Sequence, residues 1–171
     1  MVPYPALFAI GERFDAFVSR GLPAEIATVQ AARDRLNAAP LNAAIQQRLQ
    51  AVEGRYHLLA AAEMWCPDCQ LNLTAMDHLQ QLQPHIDLAI VSKSRAEHDV
   101  KERLGLERIS IPLVLVLDEQ FELIGRFVEQ PHAVTAGGDA VKADYRAGGY
   151  LESTLDDVLA IIEAHEGRTH A

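Results

Sequence analysis

Tyr56-His57-Leu58-Leu59-Ala60-Ala61-Ala62-Glu63-Met64-Trp65-Cys66-Pro67-Asp68-Cys69 is the stretch that decides the fold. Tyr56 to Ala62 is a continuous, mostly apolar run of strand length, as a buried parallel strand would be. Two cysteines follow, three positions apart. Beyond them Leu71, Ala75, Met76, Leu79 and Leu82 return to helical spacing, and Pro84 stops that helix. The cysteines therefore fall where a strand gives way to a helix.

Working outward toward the C-terminus, Ile86 to Val91 reads as a second strand. Ser94 to Leu104 reads as a short polar helix ended by Gly105, with Glu97, Asp99 and Glu102 on its wet face. Ile111 to Leu117 is a third strand. Asp118-Glu119-Gln120 turns the chain, and Phe121 to Val128 alternates as a hairpin partner. Residues 129–150, with four glycines, read as a long loop. Ser153 is placed to cap a last helix with Asp156 three residues on, and that helix would bury Leu155, Val158, Leu159 and Ile162.

The order from Arg55 is strand, helix, strand, helix, strand, strand, helix. Its first half is a βαβ unit, which wants a right-handed crossover and a parallel pair. The second half is a hairpin and a helix. The predicted class is α/β, a central mixed sheet flanked by helices. Upstream, residues 1–54 read as a helical extension packing on a core of residues 55–171. Leu7, Ile10, Phe14, Phe17 and Val18 share one helical run. Leu22, Ile26, Val29 and Leu36 share a second, opened by Pro23, and Leu41, Ile45, Leu49 and Val52 a third.

Bulk properties narrow the function. The chain has 171 residues, 49% of them hydrophobic, and a formal net charge of −9. This is a globular composition. So acidic a chain is a poor partner for nucleic acid or an anionic membrane, both of which need clustered Lys and Arg. No run is apolar enough to span a bilayer, and Glu12, Arg13 and Asp15 interrupt the N-terminal apolar stretch as a secretory signal would not allow. The expected location is the cytoplasm. With only two cysteines, a multi-bridge scaffold is excluded. In a reducing compartment such a pair is more often catalytic or metal-binding than structural.

A thiolate attacks disulfides, and the free amides of a helix N-terminus favour a thiolate. An ordinary thiol is only about 3% ionised at pH 7, and a helix-end charge can contribute up to ~2 kcal/mol, more than one pKa unit. Cys66 is so placed. Cys69, one turn on, can close the ring as the more buried, resolving thiol. Pro67 suits the first helical position. Asp68 suits a helix start yet opposes a neighbouring thiolate, which points to a reducing or neutral poise. A zinc site would need two more ligands, and none of the seven histidines sits at ligand spacing to the pair. His78 and His85 are nearest in sequence and read as helix-face or solvated positions, while His165 and His170 read as exposed.

Trp65-Cys66-Pro67-Asp68-Cys69 at a strand end resembles the active site of the thioredoxin superfamily, in the form found in small cytosolic thioredoxin-related reductases. Ser110-Ile111-Pro112 resembles the second signature, in which an Ile precedes a cis-proline facing the pair. From Cys69 to Pro112 is 112 − 69 = 43 positions, which fits the intervening strand and helix. The helical lead and Asp144-Tyr145-Arg146-Ala147-Gly148 resemble a sparsely characterised bacterial branch of that superfamily. The resemblance covers about residues 55–167. It implies a thioredoxin-like fold and a thiol–disulfide oxidoreductase with Cys66 as nucleophile, Cys69 as resolving cysteine, Trp65 on the rim, and Pro112 leaving backbone free to pair with substrate. No cofactor is implied beyond the redox-active Cys66–Cys69 disulfide. The implied partners are a protein or low-molecular-weight disulfide and an electron-donating reductase or thiol.

Departures point to a narrower substrate. Ala60 stands where thioredoxin has a buried Asp, six residues before the first cysteine, and Thr74 where it has a proline after the second. The helical lead replaces the first strand and helix. Glu63 and His57 are candidates for the missing proton-handling group. Two alternatives to the reductase stay open: a binding or adaptor module that uses only the fold's surface, and metal binding across a dimer through two cysteine pairs.

Overall fold

The computed structural model describes residues 1–168. Four strands form one mixed sheet in the order β2-β1-β3-β4, with β1 at Tyr56–Ala61, β2 at Ile86–Val91, β3 at Leu113–Leu117 and β4 at Leu123–Val128. β1 and β2 are parallel, Tyr56 opposite Ile86. β1–β3 and β3–β4 are antiparallel, with a register irregularity at Val116/Leu117. α5 (Pro67–Leu82) makes the crossover between β1 and β2, as the βαβ reading predicts. Every residue of β3 is buried, which explains its unbroken Leu/Val run, whereas β4 at the sheet edge buries only Phe127 fully. α9 (Leu151–His165) packs on α5, β3 and β4, and buries Leu155, Val158, Leu159 and Ile162 as expected.

The helical lead comprises α1 (Tyr4–Ile10), α2 (Phe14–Ser19), α3 (Pro23–Ala38) and α4 (Ala43–Gln50). α3 lies along α5, while α1 and α2 reach β2. The single run expected over Leu7 to Val18 is broken. Gly11 leaves the helix in an extended conformation, and Glu12 pairs with Ile90 as an isolated antiparallel bridge. Ile10 is consequently exposed, while Leu7, Phe14, Phe17 and Val18 join the core. The outward amides of β2 are all engaged by this region and by the α5 end. Ile90 exchanges both backbone bonds with Glu12, Arg13 donates to the Leu88 carbonyl, Gln80 Oε1 accepts the Leu88 amide, and the Gln83 carbonyl accepts the Ile86 amide.

Other expectations shift. The polar helix is shorter, α6 (Lys93–Asp99), capped by Ser92, whose hydroxyl accepts the Arg95 amide. Asp99 is buried rather than wet, against Arg95 one turn back and His98. The expected loop 129–150 is largely helical, with α7 (His132–Gly137), a 3-10 turn (Gly138–Val141) and α8 (Lys142–Arg146). α9 begins at Leu151, and Ser153 does not cap it. His165 is exposed, as expected; the expectation for His170 lies outside the described residues.

Two polar clusters bind the lead to α9. Arg48 of α4 clasps Glu163 with its Nε (3.0 Å) and Nη2 (2.8 Å) and also pairs with Asp156. Glu166 accepts from the backbone amide of Gly54 (2.8 Å), the Tyr56 hydroxyl (2.6 Å) and Arg168. Burial pushes the Glu166 carboxyl up, but these hydrogen bonds outweigh it and hold it below the usual range. A carboxyl depressed by folding stabilises the fold above its unfolded value, ~4.3, and loses that contribution as pH falls toward the folded value. Glu166→Gln is therefore expected to flatten the fall of the urea midpoint below about pH 5. An unchanged acid slope would count against this role.

Candidate functional site

The site forms where β1 ends. Cys66 is the N-cap of α5, with extended backbone (φ −89°, ψ 116°), and Pro67 takes the first helical position. That geometry points the Cys69 amide at the Cys66 sulfur, 3.3 Å away. An amide that would otherwise be an orphan of the helix start thus becomes a thiolate donor. Across the site, the Cys66 sulfur lies 3.7 Å from the carbonyl oxygen of Ile111, and the Ile111–Pro112 peptide is cis. Cys66 is 6% exposed, Cys69 is fully buried, and both are free thiols. Trp65, at 61% exposure, stands on the rim.

The two sulfurs are electrostatically unequal. Hydrogen bonding from Cys69 draws the Cys66 thiol below its ordinary value, against the opposing effect of burial and of the Asp68 charge. Burial, and then the neighbouring Cys66 sulfur, push the Cys69 thiol strongly up. Ala60, fully buried in β1 between Ile90 and Val114, puts a methyl group there and supplies no proton acceptor.

Neither candidate proton-handling side chain meets the pair. Glu63 lies in the turn before Cys66, but its carboxylate accepts the Lys93 amide at 2.8 Å, at the start of α6. His57 is at the opposite end of β1, four residues or about 13 Å before Ala61. There it bonds Asp87 at 2.7 Å and stacks on Phe121 at 4.1 Å between ring centroids. Thr74 is fully buried and bonds back to the Gln70 carbonyl within α5.

The structure also brings residues to the pair that sequence reasoning did not select. Asp68 Oδ1 accepts from the Tyr145 hydroxyl (2.7 Å), Arg146 Nη1 (3.1 Å) and Gln130 Nε2 (3.4 Å). Behind it, Asn72 Nδ2 bonds the Tyr145 hydroxyl (2.9 Å), the Asp68 carbonyl and the Glu129 carbonyl, while Asn72 Oδ1 accepts from Thr154 (2.6 Å). Asn72 and Thr154 are almost wholly buried. The Asp144–Gly148 stretch carried the one available signal for this network. On the lead side, Gly21 sits against Met64: a β-carbon there would come within 2.5 Å of the Met64 methyl.

A mixed sheet flanked by helices, with a Cys-x-x-Cys pair at a helix start opposite a cis-proline, defines a class of α/β domain. A model of the thioredoxin family matches residues 11–142, and the chain belongs to that family. It is 57% identical to a protein of unknown function from Pseudomonas aeruginosa whose crystal structure is known at 1.5 Å, with a TM-score of 0.94 over 96% of this chain and 99% of that chain. It is similarly close to an HIV epitope-scaffold crystal structure: 56% identity and a TM-score of 0.93, over 95% of this chain and 99% of that chain. No curated protein matches the chain.

Proposed function

We propose that the chain is a thiol–disulfide oxidoreductase that works as a disulfide reductase. The observation that carries the reading is the asymmetry of the pair: a hydrogen-bonded Cys66 sulfur at the start of α5 beside the cis Ile111–Pro112 bond, with Cys69 buried behind it. Cys66 thiolate attacks one sulfur of a substrate disulfide, forming a mixed disulfide and releasing one thiolate. Cys69, losing its proton as it attacks, displaces the second substrate sulfur and closes the Cys66–Cys69 disulfide. The substrate gains two electrons and two protons. An external thiol or dithiol reductase returns both to the pair. Asp68 inside the ring opposes the thiolate, which favours a reducing or neutral poise over a strongly oxidising one. A cytoplasmic setting suits that direction.

Equilibrating the chain with glutathione or dithiol buffers tests this. The expected result is one two-electron couple between roughly −300 and −100 mV, toward the lower end. No couple in that span would overturn the reading in favour of an adaptor role. Among the described residues no cluster of three or more Cys, His, Asp or Glu is arranged to hold a metal, so the metal alternative requires a second copy of the chain. About half an equivalent of zinc or iron per chain after metal-free purification would favour it.

A further inference from the structure

The segment between β4 and α9 has no part in the exchange steps above, yet among the described residues it supplies every side chain that hydrogen-bonds the Asp68 carboxylate: Gln130 before α7, and Tyr145 and Arg146 of α8. Asp68 lies between the two cysteines, so its charge works against any negative charge on Cys66. A carboxylate held by three donors, one cationic, is partly neutralised and fixed in direction. The anchoring is itself braced. Tyr145 is buried, its hydroxyl also bonds Asn72, and Asn72 is locked to Thr154 of α9. The Arg146 guanidinium lies 5.1 Å from the centre of the Tyr145 ring and is 37% exposed.

We propose that Tyr145, Arg146 and Gln130 are positioning residues. By holding the Asp68 carboxylate against the 129–146 segment, they limit its opposition to the Cys66 thiolate, so that this segment sets the reactivity of the pair. The inference rests on Cys66 being the attacking thiol. The other titratable and charged groups around it are Cys69 on α5 and Glu63 in the turn before it, the latter engaged by the Lys93 amide. Glu129, in the turn after β4, offers its carbonyl to Asn72, and the Ile111–Pro112 side offers a carbonyl only.

The test is the pH profile of Cys66 alkylation by iodoacetamide in the reduced full chain, read by peptide mass. Arg146→Ala is expected to move the Cys66 midpoint up by about half to one pH unit, and Tyr145→Phe in the same direction. Arg146→Lys should keep most of the wild-type value. Asp68→Asn should move the midpoint down. In the Asp68→Asn background Arg146→Ala should then have less than about a third of its original effect, because it acts through the carboxylate. A full-sized Arg146→Ala shift in that background would show that the guanidinium acts on the sulfur directly, and would overturn the proposal. So would the absence of any shift in Arg146→Ala, an exposed position where folding is not at stake. Disulfide turnover that is absent while this coupling persists would sink the reductase reading and leave the positioning role standing.

Discussion

Cys66→Ser abolishes disulfide reduction, while Cys69→Ser stops the reaction halfway. This pair of outcomes is expected from the positions of the two sulfurs. Serine at 66 keeps the hydrogen bond from the Cys69 amide but is no nucleophile at neutral pH, so turnover should fall by more than about a thousandfold. Serine at 69 leaves the Cys66 sulfur beside Ile111 and the helix start, so the first displacement still occurs. With no resolving thiol the chain should accumulate one mixed disulfide per molecule, visible as a mass increase that reductant removes. The serine hydroxyl can donate to the Cys66 sulfur in place of the Cys69 thiol, so Cys66 in that variant should keep most of its alkylation rate at pH 7. Turnover of a protein disulfide equal in wild type and both variants would remove the pair from the chemistry. The family's fold would then serve as a binding surface.

Arg48→Ala is the substitution expected to cost most stability outside the sheet. Glu163 is only 3% exposed and faces into the contact between α4 and α9, where the Arg48 fork holds both its oxygens. Removing the guanidinium strands a buried carboxylate, a change that costs about 3–5 kcal/mol. Adding Glu163→Gln should recover much of the loss, because the uncompensated charge goes with it. Denaturant unfolding at pH 7 reads both. A loss under about 1 kcal/mol for the single variant would mean the pair behaves as a surface ion pair and that the helical lead is held by its apolar contacts and the Glu166 cluster.

The sheet and the cysteine-bearing helix were legible because their sequence patterns match their burial. Tyr56–Ala61, Ile86–Val91 and Leu113–Leu117 are apolar runs bounded by punctuation, and α5 shows a clear return to helical period. The cis Ile111–Pro112 bond was expected only through resemblance, since no local pattern distinguishes it from an ordinary strand start. The segment 129–150 reads as a loop for a physical reason. α7 and α8 have six and five residues, less than two turns, which is too short to display an amphipathic period among four glycines. Such helices are held by packing and not by propensity. The Asp68 network was out of reach for another reason. Asn72 and Thr154 are 82 positions apart, and Tyr145 is 77 from Asp68, so only the folded chain reveals them as partners. His57 has the chemistry of a proton carrier but not the position, since β1 carries it away from the cysteines.

The occupied edge of β2 decides how this molecule can meet other chains. A strand arriving there would find the outward amides of Ile86, Leu88 and Ile90 already engaged by Gln83, Gln80 and Glu12. Lateral growth of the sheet, whether in a domain swap or in aggregation, is blocked on that side by a single bridging residue, the Gln80 and Arg13 side chains and the Gln83 carbonyl rather than by a further strand. The hazard passes to β4, which carries Arg126 and an interior glycine, Gly125, both weak templates for an added strand.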